Sequence, residues 1–187
     1  MNLPAPIALS AGLLLGLVAS SPSAIAATPK VGESTTDFTL KTPAGEPVRL
    51  AALNEKGPVV LVVLRGWPGY QCPYCTKQVG ELVAKSKEFD KAKAQVVLVY
   101  PGPSSGLKRH AEEFAKGKAL PANFSFVVDP DYAFTNAYGL RWEGAGETAY
   151  PSTFVIDPQG KVVFAKTSQD HGTRVKAQEV LQALAQN

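Results

Sequence analysis

Two stretches of the chain are apolar and rich in β-branched residues, 58–64 (PVVLVVL) and 95–100 (QVVLVY). Such runs predict strands buried on both faces, as in a parallel sheet covered by helices. Between them, Val79, Leu82, Val83 and Phe89 recur at helical spacing and predict a helix over residues 75–92. Downstream, the pattern predicts a polar, amphipathic helix over 107–116 and a third strand over 124–128, stopped by Asp129-Pro130. A short helix over 131–138 ends at Gly139. Residues 153–156 and 162–165 flank Asp157-Pro158-Gln159-Gly160 and read as a β-hairpin, followed by a last helix over 173–185. Upstream, 38–40 reads as a short strand, Pro43-Ala44-Gly45 as a turn and 48–50 as an edge strand. This order predicts an α/β sandwich with a central mixed β-sheet flanked by helices.

The amino terminus has a different pattern. No Lys, Arg, Asp or Glu precedes Lys30, and residues 7–19 are apolar apart from Ser10. This run of 13 residues falls short of the ~20 that a membrane helix needs. Ser20 to Ser23 follow, and then Ala24-Ile25-Ala26-Ala27, an A-x-A pattern that suits a signal peptidase cutting between Ala26 and Ala27. Residues 1–26 therefore read as a secretory signal peptide, with the amino terminus as its one positive charge. Residues 31–187 read as a single domain without repeats or a low-complexity linker. The expected location is periplasmic or secreted, with no stable membrane association after cleavage and with conditions that let a cysteine pair form and keep a disulfide.

Composition narrows the chemistry. Hydrophobic residues make up 45% of the 187 and charged residues 19%, enough apolar material for a core. The net charge of +3 carries no like-charge run, so nucleic acid is not an expected partner. Two cysteines and two histidines at these spacings do not make a structural zinc site, and two cysteines exclude a disulfide-dense mini-domain. No Gly-rich phosphate loop follows a strand, so no organic cofactor is implied.

The chemistry gathers at Cys72-Pro73-Tyr74-Cys75, a short loop beyond the buried run 58–64 and at the opening of the next helix. Free amide groups and the helix dipole stabilise a thiolate there, so a cysteine in that place titrates below its usual ~8.5. Two intervening residues allow the sulfurs to bond, so one thiol can resolve a mixed disulfide formed by the other. An inert staple is a poorer reading, because so small a loop removes little chain entropy. Arg65 adds positive charge near the sulfurs or is a solvated strand-end residue; Trp67 and Tyr70 wall the site or simply cover the loop. His110, on a charged helix face, and His171, in the loop 168–172, read as surface residues.

At these residues the chain resembles the thioredoxin-fold superfamily, and more narrowly its peroxiredoxin-like branch, the alkyl hydroperoxide reductase and thiol-specific antioxidant (redoxin) family. Val31-Gly32-Glu33 with Asp37-Phe38-Thr39-Leu40 is similar to the family's opening motif. Val128-Asp129-Pro130-Asp131 with Ala137-Tyr138-Gly139, and Ser152-Thr153-Phe154-Val155-Ile156-Asp157, resemble two later ones. The resemblance covers nearly all of the chain after the leader and implies a thioredoxin-like sandwich and thiol-dependent antioxidant or thiol-disulfide oxidoreductase activity. It implies as partners a disulfide-bearing protein or a peroxide, with an unidentified thiol reductant.

The family pattern of Pro, Thr or Ser, and Cys falls on Pro68, Cys72 and Cys75, which puts Cys75 in the peroxide-reacting place. The thioredoxin register instead makes Cys72 the exposed attacking cysteine and Cys75 the buried resolving one. Pro151 stands where thioredoxin-like proteins carry a cis-proline beside the cysteines, and where many peroxiredoxins carry an Arg that polarises the peroxide. Arg65 and Arg141 are the candidate replacements for that cation. These features favour disulfide exchange through Cys72, a reversible Cys72–Cys75 disulfide and a cis Tyr150–Pro151 bond. The alternative is a copper-delivering metallochaperone that binds Cu(I) through the same cysteines, with His171 as third ligand.

Overall fold

The computed structural model describes Met1 and residues 27–186. The expected signal peptide lies outside the described residues except for Met1. Among the described residues no helix is long and apolar enough to cross a membrane.

A seven-stranded sheet is built from β1 (Thr39–Lys41), β2 (Pro47–Arg49), β3 (Val59–Val63), β4 (Gln95–Gly102), β5 (Phe124–Pro130), β6 (Ser152–Ile156) and β7 (Val162–Thr167), in the order β2-β1-β5-β4-β3-β6-β7. The centre, β5-β4-β3, is parallel. The flanking strands β1, β2, β6 and β7 pair antiparallel. The sheet is therefore mixed, as expected. Every residue of β3 is fully buried because both faces of the sheet are covered, and for this reason the sequence there does not alternate.

Alternate residues of β3 feed two cores. Val60 and Val62, with Leu64 just beyond the strand, pack with α2 (Pro73–Ala84), α3 (Ser86–Lys91), α4 (Leu107–Ala115) and α6 (Ala177–Ala185). Val59, Leu61 and Val63 pack with α1 (Leu50–Asn54) and α5 (Ala133–Ala137). Both cysteines lie on the first of these faces.

Several expected boundaries move. The helix predicted over 75–92 begins at Pro73, which suits a first helical position, and breaks at Lys85 (φ −102°, ψ 15°) into α2 and α3. The strand 124–128 runs on to Pro130, because Asp129 and Pro130 still align with Pro101 and Gly102 of β4. The Asp129 carboxylate turns inward and accepts hydrogen bonds from the N–H groups of Phe134 and Thr135, so it starts α5 rather than ending β5. That helix begins two residues late because Asp131 and Tyr132 are left-handed (φ 53° and 61°). The last helix begins at Ala177. The preceding residues 170–173 wind instead around the Asp170 carboxylate, which accepts from the N–H groups of Gly172 and Thr173 at 2.7 and 2.6 Å.

Candidate functional site

The site sits at the carboxyl end of β3, where the chain must turn sharply. Gly66 makes the turn with φ +69°, and a Cβ on it would come within 1.8 Å of the Pro101 carbonyl oxygen. Trp67 N–H donates to that same oxygen at 3.0 Å, and the Trp67 ring stacks on His110 at 3.6 Å. Trp67 thus covers the loop through His110. His110 is no free surface residue: its side chain is only 12% exposed, because the indole covers it. Gln71 ties the loop down further. Its Nε2 donates to the His110 carbonyl and its Oε1 accepts from the Tyr100 hydroxyl, both at 2.8 Å. Pro68 is half-buried in this loop.

Cys72 is the residue that caps the amino end of α2, with extended backbone (φ −71°, ψ 116°), and Pro73 opens the helix. Cys75 lies in its first turn. The two are free thiols in this structure and both are buried, at 2% and 1% exposure. The expectation that Cys72 is the exposed member is not met, because the loop folds both sulfurs into the apolar cluster against the sheet. Electrostatics distinguishes them instead. The hydrogen bond from Cys75 and the N–H groups of Cys75 and Tyr74 outweigh burial and hold the Cys72 thiol down to about 5, with Arg174 adding positive charge. Cys75 is pushed well up by its bond to Cys72, by burial and by the Cys72 charge. The N–H of Arg65 donates to Cys75 Sγ at 3.3 Å.

The Arg65 side chain does not serve the sulfurs. It is 3% exposed and its guanidinium pairs with Glu147 at 3.0 Å, donates to the Gly146 carbonyl at 3.0 Å and reaches the Tyr70 hydroxyl. Glu147 also holds His171 Nε2 at 2.9 Å, so His171 is not a plain surface residue either. His171 is thereby engaged away from the cysteines, and no group of three His, Cys, Asp or Glu able to hold a metal occurs among the described residues. The copper reading is not supported. Arg141 is likewise committed, to the carbonyls of Trp142, Glu147 and Thr148.

Pro151 is buried and lines a small cavity with Gln78 and Arg174. The expected cis bond before it is absent, since no peptide bond among the described residues is cis. Tyr150 N–H bonds the Leu140 carbonyl, and the Pro151 carbonyl takes Ser168 N–H, so the chain enters β6 extended. A trans amide, favoured by ~0.5–1 kcal/mol, satisfies that entry. Arg174, Gln78 and Glu147 were not singled out by the sequence pattern. Glu147 and Arg174 come from segments far along the chain, and Gln78, one turn beyond Cys75 on α2, is marked by no local motif.

A family model described as AhpC/TSA matches residues 31–165, a span that contains both cysteines, strands β1 to β6 and the start of β7. The chain belongs to the AhpC/TSA family. It is 30% identical over 132 residues to the thiol-disulfide oxidoreductase ResA of Bacillus subtilis, a match spanning 71% of this chain and 64% of that protein. It is 31% identical over 138 residues to the chloroplastic peroxiredoxin Q of Sedum lineare, spanning 74% and 69%. Among solved structures it is similar to the peroxidoxin BcpB from Mycobacterium tuberculosis, with a TM-score of 0.67 at 26% identity over 84% of this chain and 97% of that one. The AhpC/TSA sandwich is thus thioredoxin-like, and the protein is a thiol-dependent oxidoreductase of the peroxiredoxin and thiol-disulfide oxidoreductase kind.

Proposed function

We propose that the protein exchanges disulfides through Cys72, with Cys75 as the resolving thiol, in the periplasm or outside the cell after removal of a leader at residues 1–26. The unequal cysteine pair carries this reading: Cys72 is the group held as thiolate, and Cys75 is the group that keeps its proton. The Cys72 thiolate attacks one sulfur of a substrate disulfide; that S–S bond breaks and one substrate thiolate leaves and takes up a proton. Cys75 then loses its proton to solvent and attacks the Cys72 sulfur, and the second substrate thiolate leaves. The substrate has gained two electrons, the protein holds a Cys72–Cys75 disulfide, and a thiol reductant restores it. The relative named as a thiol-disulfide oxidoreductase supports this reading.

The burial of both sulfurs favours a second reading, because a peroxide reaches them more easily than a bulky disulfide. Cys72 attacks here too. The O–O bond breaks, an alcohol or water leaves, and Cys72 becomes a sulfenic acid that Cys75 converts to the disulfide with release of water. The relatives named as peroxiredoxins support it. The test is oxidation of the reduced protein by hydrogen peroxide and, separately, by a disulfide-bearing protein. Faster oxidation by the protein disulfide, with Cys75→Ser trapping a mixed disulfide on Cys72, is expected. Fast peroxide consumption by Cys72→Ser, with sulfenic acid on Cys75, would overturn the assignment of Cys72.

A further inference from the structure

Arg65 serves the cysteines through its backbone. Leu64 N–H still pairs with the Val99 carbonyl at 2.9 Å, as a strand residue does. One residue on, the chain leaves the sheet, and Arg65 N–H donates instead to Cys75 Sγ at 3.3 Å. The Arg65 carbonyl accepts from the Thr148 hydroxyl. Gly66 then turns the chain with φ +69°, and Trp67 N–H returns to the Pro101 carbonyl of β4 at 3.0 Å. The N–H and carbonyl of Arg65 are thus held by a sulfur and a hydroxyl rather than by a neighbouring strand.

Thr148 is itself rigidly placed. It is 1% exposed, and its carbonyl accepts from Trp142 N–H at 3.2 Å and from Arg141 Nη1 at 2.5 Å. Arg141 and Ala149 bridge the same loop. The neighbouring Glu147 carboxylate holds the Arg65 guanidinium at 3.0 Å, so residues 147 and 148 grip Arg65 by its side chain and by its carbonyl. A hydroxyl has a single proton to donate, and that of Thr148 is spent on this carbonyl. A buried carbonyl that loses its partner is costly, so the backbone of Arg65 turns to find another if the hydroxyl is removed.

We propose that Thr148 is a positioning residue for the resolving step: by holding the Arg65 carbonyl it keeps the Arg65 N–H aimed at Cys75 Sγ, where negative charge develops. This rests on Cys75 being the resolving thiol. In that step Cys75 gives its proton to solvent and its electron pair forms the bond to the Cys72 sulfur. The substrate thiolate leaves with the electron pair of the mixed disulfide and takes up a proton. The charge therefore passes through a sulfur that is 1% exposed. A fixed N–H stabilises that anion, and does much less for the neutral thiol before it or the disulfide after it.

The test uses wild-type protein, Thr148→Val and Thr148→Ser, with urea unfolding as a check on folding. Each reduced protein is mixed with one equivalent of dithiobis(nitrobenzoate). This disulfide frees one coloured thiolate when Cys72 attacks it and a second when Cys75 resolves the adduct, and both releases are followed against pH. Loosening one hydrogen bond to a charged group moves the midpoint of the second release up by about one pH unit. Nucleophilicity rises as the thiolate fraction falls, so Thr148→Val is expected to slow the second release about threefold at pH 7. The valine leaves the Arg65–Glu147 pair and the enclosure of Cys75 in place, so access to the sulfur is not altered. Thr148→Ser, which keeps the hydroxyl, is expected to recover at least half of both changes. An unchanged second release in Thr148→Val, two releases slowed alike, or no recovery in Thr148→Ser overturns the proposal. If Thr148→Val does not fold, Thr148→Ala is read against the same limits. Failure of the underlying reading is distinct: Cys75→Ser should give a single release and a stable adduct on Cys72. If Cys72→Ser instead reacts as fast as wild type, the attack lies on Cys75, and the assignment of Cys72 falls with this proposal.

Discussion

Glu147 holds together more of the site than its position in a surface loop suggests, and removing its charge tests this directly. Its carboxylate is 13% exposed and pairs with an Arg65 side chain that is 4% exposed, at 3.0 Å to Nη2 and 3.1 Å to Nε. Losing one partner of a buried pair costs about 3–5 kcal/mol, mostly because the other charge stays buried and unbalanced. Arg65 would keep two neutral acceptors, Gly146 O and the Tyr70 hydroxyl, which places Glu147→Leu near the low end, at about 3 kcal/mol. Glu147→Gln keeps an acceptor and loses about half of that, in line with ~1.5 kcal/mol for a hydrogen bond to a charged group. Arg65→Met in the Glu147→Leu background removes the orphaned cation, so the double variant should be no less stable than Glu147→Leu alone. Urea unfolding of the reduced proteins at pH 7, with Arg65→Met alone included, measures these losses, and Glu147→Leu should also melt ~6–12 °C lower. Arg65 N–H contacts Cys75 Sγ and the Thr148 hydroxyl holds the Arg65 carbonyl, so the same variant should alkylate faster at Cys75. A cost under about 1 kcal/mol for Glu147→Leu, or a double variant that merely adds the two single losses, would refute the reasoning.

Gly66→Ala should be among the most damaging single changes, at about 3 kcal/mol or more, since it combines a left-handed backbone with a Cβ driven into the Pro101 carbonyl. Chemical denaturation reads this, and a loss under about 1 kcal/mol would show that the loop can move away. The depressed Cys72 thiol predicts a pH effect on the reduced protein. Between about pH 5 and the unfolded thiol near ~8.5, the unfolded chain binds the proton and the folded one does not. Stability relative to Cys72→Ser should therefore rise with pH through that window, by at most about 1.4 kcal/mol per unit, and be lost as pH falls through about 5. Parallel pH–stability curves for the two proteins would show that Cys72 does not titrate there.

What the chain reveals before folding follows from the range of each interaction. The runs at β3 and β4 are legible because burial on both faces forces a local composition, and the cysteine pair is legible because a helix start is a local feature. Charge is different. Arg65 stands next to the site loop in sequence, yet its guanidinium turns to Glu147, eighty-two residues on. His110 sits among charged residues on α4, and only the fold brings Trp67 over its ring. Helix ends differ from the expected ones where a side chain replaces a backbone partner, as Asp170 does for the residues before α6.

The same loop supports two registers, and the two sulfurs differ in their place relative to α2, one at its cap and one in its first turn. Two thiols in hydrogen-bond contact share one negative charge, because a second anion beside the first is strongly disfavoured. Which sulfur takes it depends on the local field. Cys72 precedes the helix and faces the free N–H groups of its first turn, where a helix favours an anion. Cys75, three residues on, is more deeply enclosed and receives one N–H, from Arg65. Its proton therefore remains to bond Cys72, even though Cys75 occupies the place that the peroxiredoxin pattern gives to the reacting cysteine. With the hydrogen bond from Cys75 and the N–H groups of the first turn directed at the first sulfur, the negative charge in this AhpC/TSA member is favoured on Cys72.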